Sequence, residues 1–266
     1  MDTLKNFKNT LFIDIETSSG VSDFALLSDN MKEFWLKKAK NLVNPANISL
    51  EEMYFEKAPL YAEFGKIIVV GMGFLFVNKE GEMALKVKTI AHADEKTLLT
   101  EFISFVNKTY KSRELTLVAH NGKEFDFPYL CRRMLINGLE IPKSLQLQGK
   151  KPWEIANLDT MELWKFGDFK SFTSLNLLAN LFGIPTPKDD IDGSMVADVY
   201  YRENDLNRIA VYCNKDVVTL VQLMLKLMNK DTIKEEFITN PYHDSTIYCG
   251  KRTKEIRKIL VGIDIQ

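Results

Sequence analysis

A chain of 266 residues is long enough for one large domain with a decorated end, and its 45% hydrophobic content is that of an ordinary globular protein. Lysine plus arginine number 35 and aspartate plus glutamate 36, so the formal charge of −1 lacks the basic excess that usually marks a nucleic-acid-binding protein, although local patches matter more than the sum. Three irregularly spaced cysteines (Cys131, Cys213, Cys249) argue against a disulfide framework or a zinc site; with no apolar signal region and no apolar run near ~20 residues, a cytoplasmic protein without a membrane span is expected.

Residues 9–16 read as a strand, with the apolar run Leu11-Phe12-Ile13 leading into Asp14-Ile15-Glu16. Residues 21–64 read as a polar, helical insertion; Lys37, Lys38 and Lys40 suit a solvated helix face, and Ser49 and Glu52 have the spacing of a capping box. Lys66 to Val77 and Glu82 to Ile90 read as two strands joined by the turn Asn78-Lys79-Glu80-Gly81. Asp94 to Tyr110 carries Leu98, Leu99, Phe102, Phe105 and Val106 at helical spacing. Leu115 to His120 is a strand, Pro128 fits the first turn of a following helix, and Asn157 to Thr160 is a short strand. Ser171 to Phe182 reads as a helix ended by Gly183 and Pro185, and Val196 to Tyr201 belongs to another.

The last long helix is the clearest. Leu206, Ala210, Cys213, Val217, Leu220, Met224 and Leu227 form an apolar stripe, and Cys131 and Cys213 suit small core positions. Tyr212 and Asp216, four residues apart, share the neighbouring face. The tail beyond Asn229 is basic near Lys251, Arg252, Lys254, Arg257 and Lys258.

Alternate side chains of a strand share a face, so Asp14 and Glu16 point the same way and Ile15 points into the core. Two adjacent carboxylates repel, and a divalent cation with its preference for carboxylate oxygens relieves that conflict. Two more segments supply acids and a phenol: Asn121-Gly122-Lys123-Glu124-Phe125-Asp126-Phe127-Pro128-Tyr129-Leu130, and Tyr212-Cys213-Asn214-Lys215-Asp216. A pair of cations ~3.5–4 Å apart needs several carboxylates converging from different elements.

In these three motifs the sequence resembles the 3′–5′ exonucleases of the ribonuclease H-like superfamily that use four acidic residues and a tyrosine (the DEDDy type). It is most similar to the exonuclease domain of family B DNA polymerases and its stand-alone bacterial relatives. A sister branch has His-x-x-x-x-Asp in the third motif; here Val211 stands five residues before Asp216, so the tyrosine branch fits. The resemblance covers roughly residues 1–228 and implies an α/β ribonuclease H-like fold with a mixed five-stranded sheet flanked by helices. Residues 229–266 are then a C-terminal extension. The chain ends at Gln266, which leads to the expectation of a stand-alone enzyme with no polymerase domain following.

The resemblance further implies two divalent cations, Mg²⁺ or Mn²⁺, held by Asp14, Glu16, Asp126 and Asp216. Asp14 would bridge both, Glu16 and Asp216 would complete the one carrying the attacking water, and Asp126 would hold the second. Tyr212 would orient the water. Thr17, Asn121, Phe125 and Phe127 would contact the terminal nucleotides, with core packing the competing role for the two phenylalanines. Trp153, Trp164, Phe166 and Phe172 suit packing better than a strand groove, His120 reads as structural, and Asp159 as a cap or a support for the site. The expected activity is removal of nucleotides from the 3′ end of DNA, single-stranded by preference. RNA as substrate and a catalytically silent nucleic-acid-binding module are the alternatives; the intact acidic set weighs against the second.

Overall fold

A computed structural model describes residue 7 and residues 9–110, 115–151, 154–168, 172–185 and 191–240. Trp153, Cys249, the start expected for a helix at Ser171 and the basic stretch from Lys251 to Lys258 lie outside the described residues. At the centre is a six-stranded mixed sheet in the order β5-β4-β1-β2-β3-β6. The strands are β1 (Thr10–Ser19), β2 (Gly65–Val77), β3 (Met83–Ala91), β4 (Thr116–Ala119), β5 (Leu158–Asp159) and β6 (Ile238–Thr239). β1, β2 and β3 pair antiparallel, whereas β4 runs parallel to β1, β5 parallel to β4 and β6 parallel to β3. This is the mixed sheet flanked by helices expected from the sequence, with the two-residue β6 added to the five expected strands.

The helices are α1 (Asp29–Ala39), α2 (Glu52–Lys57), α3 (Glu95–Tyr110), α4 (Asp126–Ile136), α5 (Thr160–Lys165), α6 (Leu175–Leu181), α7 (Val196–Asp198) and α8 (Leu206–Leu227). Two apolar layers sandwich the sheet. One joins Leu11, Ile13 and Ile15 of β1 to Leu98 and Phe102 of α3 and to Phe127 and Leu130 of α4. The other joins Phe12, Leu85 and Val118 to Val217, Leu220, Val221 and Met224 of α8, the stripe that periodicity points to. Ile233 and Phe237 pack into this second layer, so the chain just past residue 228 is continuous with it.

Residues 21–64 build their own small cluster around Trp35, Met53, Tyr54 and Phe64. Ser49 and Glu52 bond reciprocally, the Ser49 N–H to Oε2 at 2.8 Å and the Glu52 N–H to the serine hydroxyl at 3.2 Å, realising the capping box. No helix among the described residues is long and apolar enough to cross a membrane.

Two of the boundaries that differ from the sequence reading have a clear cause. β1 runs on to Ser19 instead of ending at Glu16, because Thr17, Ser18 and Ser19 pair with Ile67, Lys66 and Gly65 and are buried despite their hydroxyls. α6 starts at Leu175, where Ser174 caps it by accepting the Leu177 N–H at 3.3 Å.

Candidate active site

The pleat of β1 sorts its side chains. Leu11, Ile13 and Ile15 enter the layer against α3 and α4, and Phe12 enters the layer against α8. Asp14 and Glu16 are in step with Phe12 and so face α8. Gly71 lies opposite Asp14 in the β1–β2 ladder, and a Cβ there would come within 2.8 Å of Cys213 Sγ and of Val217 Cγ2. The glycine thus lets α8 settle directly on the sheet, and the same turns of α8 bring Tyr212 and Asp216 to the acids of β1.

Asp126 arrives from the other side. β4 pairs with β1 only as far as Phe12, which leaves the N–H of Ile15 free of that ladder. Asp126, the first residue of α4, fills the gap: its Oδ1 accepts the Ile15 N–H at 3.1 Å. Asp14 and Glu16 therefore share a face of β1, with Asp126 and Asp216 close enough for their charges to act on both, and the Tyr212 hydroxyl hydrogen-bonds Asp216.

Their electrostatics are set by burial and mutual repulsion. Glu16 is 7% exposed and Asp126 4%. Ligand atoms of Asp14, Glu16 and Cys213 lie within 4.8 Å of one another. Asp14 Oδ2 is buried without a hydrogen-bond partner, and the charged groups acting on Asp14 and Glu16 are the other acids. Burial first, then Asp216 and Asp126, push the Asp14 carboxyl well above the usual range. Glu16 is pushed up by burial, then by Asp14, Asp216 and Asp126. Burial raises Asp126 to about 7, even though backbone N–H groups favour its charged form. Burial, then Asp216, Glu16 and Asp14, raise the Tyr212 phenol and keep it protonated. Buried, mutually repelling carboxylates with an orphaned oxygen fit divalent cations, which take oxygen ligands and reverse this pKa logic.

The four residues expected at the substrate are placed differently from one another. Thr17 is 9% exposed and its hydroxyl donates to the Pro59 carbonyl at 2.9 Å, which ties β1 to the segment ahead of β2. Asn121 adopts a left-handed conformation (φ 64°) and donates its backbone N–H to Asp159 Oδ1 at 2.9 Å. Phe125 caps α4, half-buried, with its ring 5.2 Å from that of Tyr129. Phe127, only 2% exposed, fills the core beside Gly122 and Ala119 and offers no ring face to a nucleotide. Of its two expected roles, core packing is the one the fold gives it.

Residues around the motifs hold them in place. Asp159 accepts from the N–H groups of Asn121, Lys123, Met161 and Glu162, so one carboxylate caps α5 and anchors the turn that delivers Asp126. His120 is bonded at both ring nitrogens, to Thr160 Oγ1 and to the Thr173 carbonyl, each at 2.8 Å. The carbonyl must accept, so Nε2 carries the proton, and burial lowers the ring's pKa. Trp164 packs edge-on against Phe182, whereas Phe166 and Phe172 are exposed. The Cys213 thiol was not anticipated at the site; its only sequence signal is its place directly after Tyr212.

Among curated proteins none matches this sequence. The model of a family described as predicted 3′–5′ exonucleases related to the exonuclease domain of PolB matches residues 60–255. That range takes in Asp126, Tyr212 and Asp216, while Asp14 and Glu16 lie upstream of it. Among solved structures, the family B DNA polymerase of the hyperthermophilic archaeon Pyrobaculum calidifontis is similar at 14% identity and a TM-score of 0.46, over 81% of this chain. The present chain spans about a quarter (24%) of that polymerase chain.

Proposed function

We propose that this chain, which belongs to the family of predicted 3′–5′ exonucleases related to the exonuclease domain of PolB, removes nucleotides from the 3′ end of DNA, single-stranded by preference, by two-metal hydrolysis. Asp14, Glu16, Asp126 and Asp216 would hold the cations, Mg²⁺ or Mn²⁺. Bound divalent cations supply Lewis acidity: they make water ionise near neutral pH and offset the charge of the phosphate. Tyr212 orients the attacking water. Its phenol is held protonated by burial and by the acids around it, so it acts as a hydrogen-bonding group and not as a base. Water adds at the terminal phosphorus, the bond from phosphorus to the 3′ oxygen of the preceding nucleotide breaks, and a 5′-mononucleotide leaves a strand with a new 3′ hydroxyl.

The observation that carries this reading is the convergence of Asp14, Glu16, Asp126 and Asp216 with the Tyr212 hydroxyl bonded to Asp216. A silent binding module has no use for buried acids that repel one another. Residues 1–228 would carry the catalysis, with 21–64 as a helical insertion bracing the strand ends; Asn121 and Phe125, in the motif that carries Asp126, would meet the terminal nucleotide. The test is digestion, in magnesium, of single-stranded DNA, duplex DNA and RNA labelled at either end. Mononucleotide release from the 3′ end, fastest on single-stranded DNA, is expected. Release from the 5′ end, or faster digestion of RNA than of DNA, would overturn the assignment in its polarity or its substrate.

A further inference from the structure

The carboxylate face of the sheet continues past Glu16, and one cation stands on it. Ser18 is in step with Asp14 and Glu16 on β1 and pairs with Lys66 of β2. Lys66 reaches that face only because of a bulge. The ladder pairs Glu16 with Val69 but Thr17 with Ile67, so Ile68 is an extra residue on β2. Ile68 and Val69 both pack on the α8 side, with Ile209 and Cys213, and Ile67 returns to the opposite layer. A regular strand would have pointed Lys66 toward α3 and α4. The inserted residue flips the alternation and aims it at the acids' side, the kind of re-aiming that bulges perform beside active sites.

The Lys66 ammonium is held there by aromatic residues and not by acids. It donates to the Tyr200 hydroxyl at 3.1 Å and sits 4.7 Å from the Tyr200 ring centre and 5.2 Å from that of Tyr201. Both tyrosines belong to a π-helical turn, Val199–Glu203, that links α7 to α8. Tyr201 in turn donates its hydroxyl to the Ser19 carbonyl at 2.7 Å, which locks the turn onto β1. Tyr201 also lies beside Phe55 of α2, over which the exposed Arg202 guanidinium is stacked at 4.9 Å. Burial weakens the ammonium, but the tyrosine oxygens outweigh that and keep it charged. Among the described residues Lys66 has no carboxylate partner, and it is only half-buried. A fixed, charged, unneutralised lysine beside aromatic rings is what a groove for a single strand needs: a cation for the backbone and rings for the bases.

We propose that Lys66 binds a backbone phosphate of the substrate strand, one to three nucleotides inward from the 3′ end, with Tyr200, Tyr201 and Phe55 beside the bases there. Two residues from Glu16 and four from Asp14 place Lys66 about 7 to 13 Å further along the sheet. The proposal rests on the nuclease reading for what sits at the acids, and it assigns the direction in which the strand leaves them.

The test is equilibrium binding, in chelator so that nothing is cleaved, of a fluorescent ten-residue oligothymidylate to the full chain. Wild type is compared with Lys66→Met, which keeps the aliphatic stem between the tyrosines, and with Lys66→Arg. Lys66→Met should weaken binding about tenfold and lower the slope of log affinity against log salt by about 0.7, the value of one single-strand phosphate contact. Lys66→Arg should restore both. The salt slope would not change if Lys66 only braced the tyrosines, so an unchanged slope in Lys66→Met overturns the proposal, as does an unchanged affinity. Hydrolysis of the same oligonucleotide by wild type in magnesium is scored separately. Binding that depends on Lys66 without any hydrolysis would defeat the nuclease reading and leave the phosphate contact standing.

Discussion

Glu95 and Glu16 are both buried glutamates, and their surroundings are opposite. Glu95, 8% exposed at the start of α3, receives the Ile67 N–H at 2.7 Å, Arg133 Nε at 2.9 Å, Asn137 Nδ2 at 2.9 Å and a second nitrogen of Arg133. Arg133 also donates to the Ala62 carbonyl, so the pair joins α3, α4 and the segment leading into β2. Every charge and donor there is matched. Glu16, equally buried, meets Asp14, Asp126 and Asp216 and no cation among the described residues. Burial of an acid is therefore not itself a functional sign in this fold. What distinguishes the two is the counter-charge: among the described residues Glu95 has one and Glu16 does not.

The sharpest way to break the comparison is to delete an acid from each group. Asp14→Ala or Asp126→Ala should lower turnover on the order of 10⁴-fold, the scale seen when a member of a catalytic set is lost. Relieving repulsion should leave the metal-free thermal midpoint of Asp14→Ala unchanged or higher, whereas Asp126→Ala also strands the Ile15 N–H and should lower it. Turnover and midpoint measured together decide it; a large drop in the midpoint of Asp14→Ala would make that acid structural. Tyr212→Phe keeps the ring and should cost on the order of 10²–10⁴ in turnover at most, with manganese affinity by calorimetry unaltered. A wild-type rate in that variant would reduce Tyr212 to a packing residue. Glu95→Gln, or Arg133→Met alone, leaves an unmatched buried group and should destabilise by about 3–5 kcal/mol in denaturant unfolding. Turnover per folded molecule should be little changed.

The smallest expected effect is in pH. Asp126 titrates near 7 in the fold against an ordinary carboxylate value of about 4, so the folded state holds its proton more tightly than the unfolded chain. That contribution to metal-free stability is fully present below about pH 4 and is lost as pH rises through about 7. Asp126→Asn should flatten this decline in the thermal midpoint, and an unaltered pH profile would remove Asp126 as its source.

The acids proposed for the site were legible in the sequence because each lies in a local pattern: a two-residue period on β1, a specific run through Asp126, and a four-residue step on α8. The matched pair was not. Glu95 and Arg133 lie 38 residues apart on different helices, and no local period connects them. The same holds for Asp159, whose position suggested a cap or a support and whose carboxylate serves as both. The extension of β1 to Ser19 hid behind three hydroxyl residues that read as a turn but are buried against β2. Phe125 and Phe127 share a motif, and only the packing of α4 on the sheet sends Phe127 inward and leaves Phe125 half-buried at the helix start. The bulge at Ile68 left no trace either, since its apolar neighbours fit both faces.

Among the described residues only other acids bring charge to Asp14 and Glu16, so bound cations would supply their counter-charge. Thermal unfolding of chelator-treated wild type and Asp14→Ala, each titrated with manganese, tests it most directly. The midpoint should rise with manganese in wild type by the linkage expected of a ligand bound only to the folded state, and much less in Asp14→Ala. Equal rises in the two proteins, or none in wild type, would contradict it.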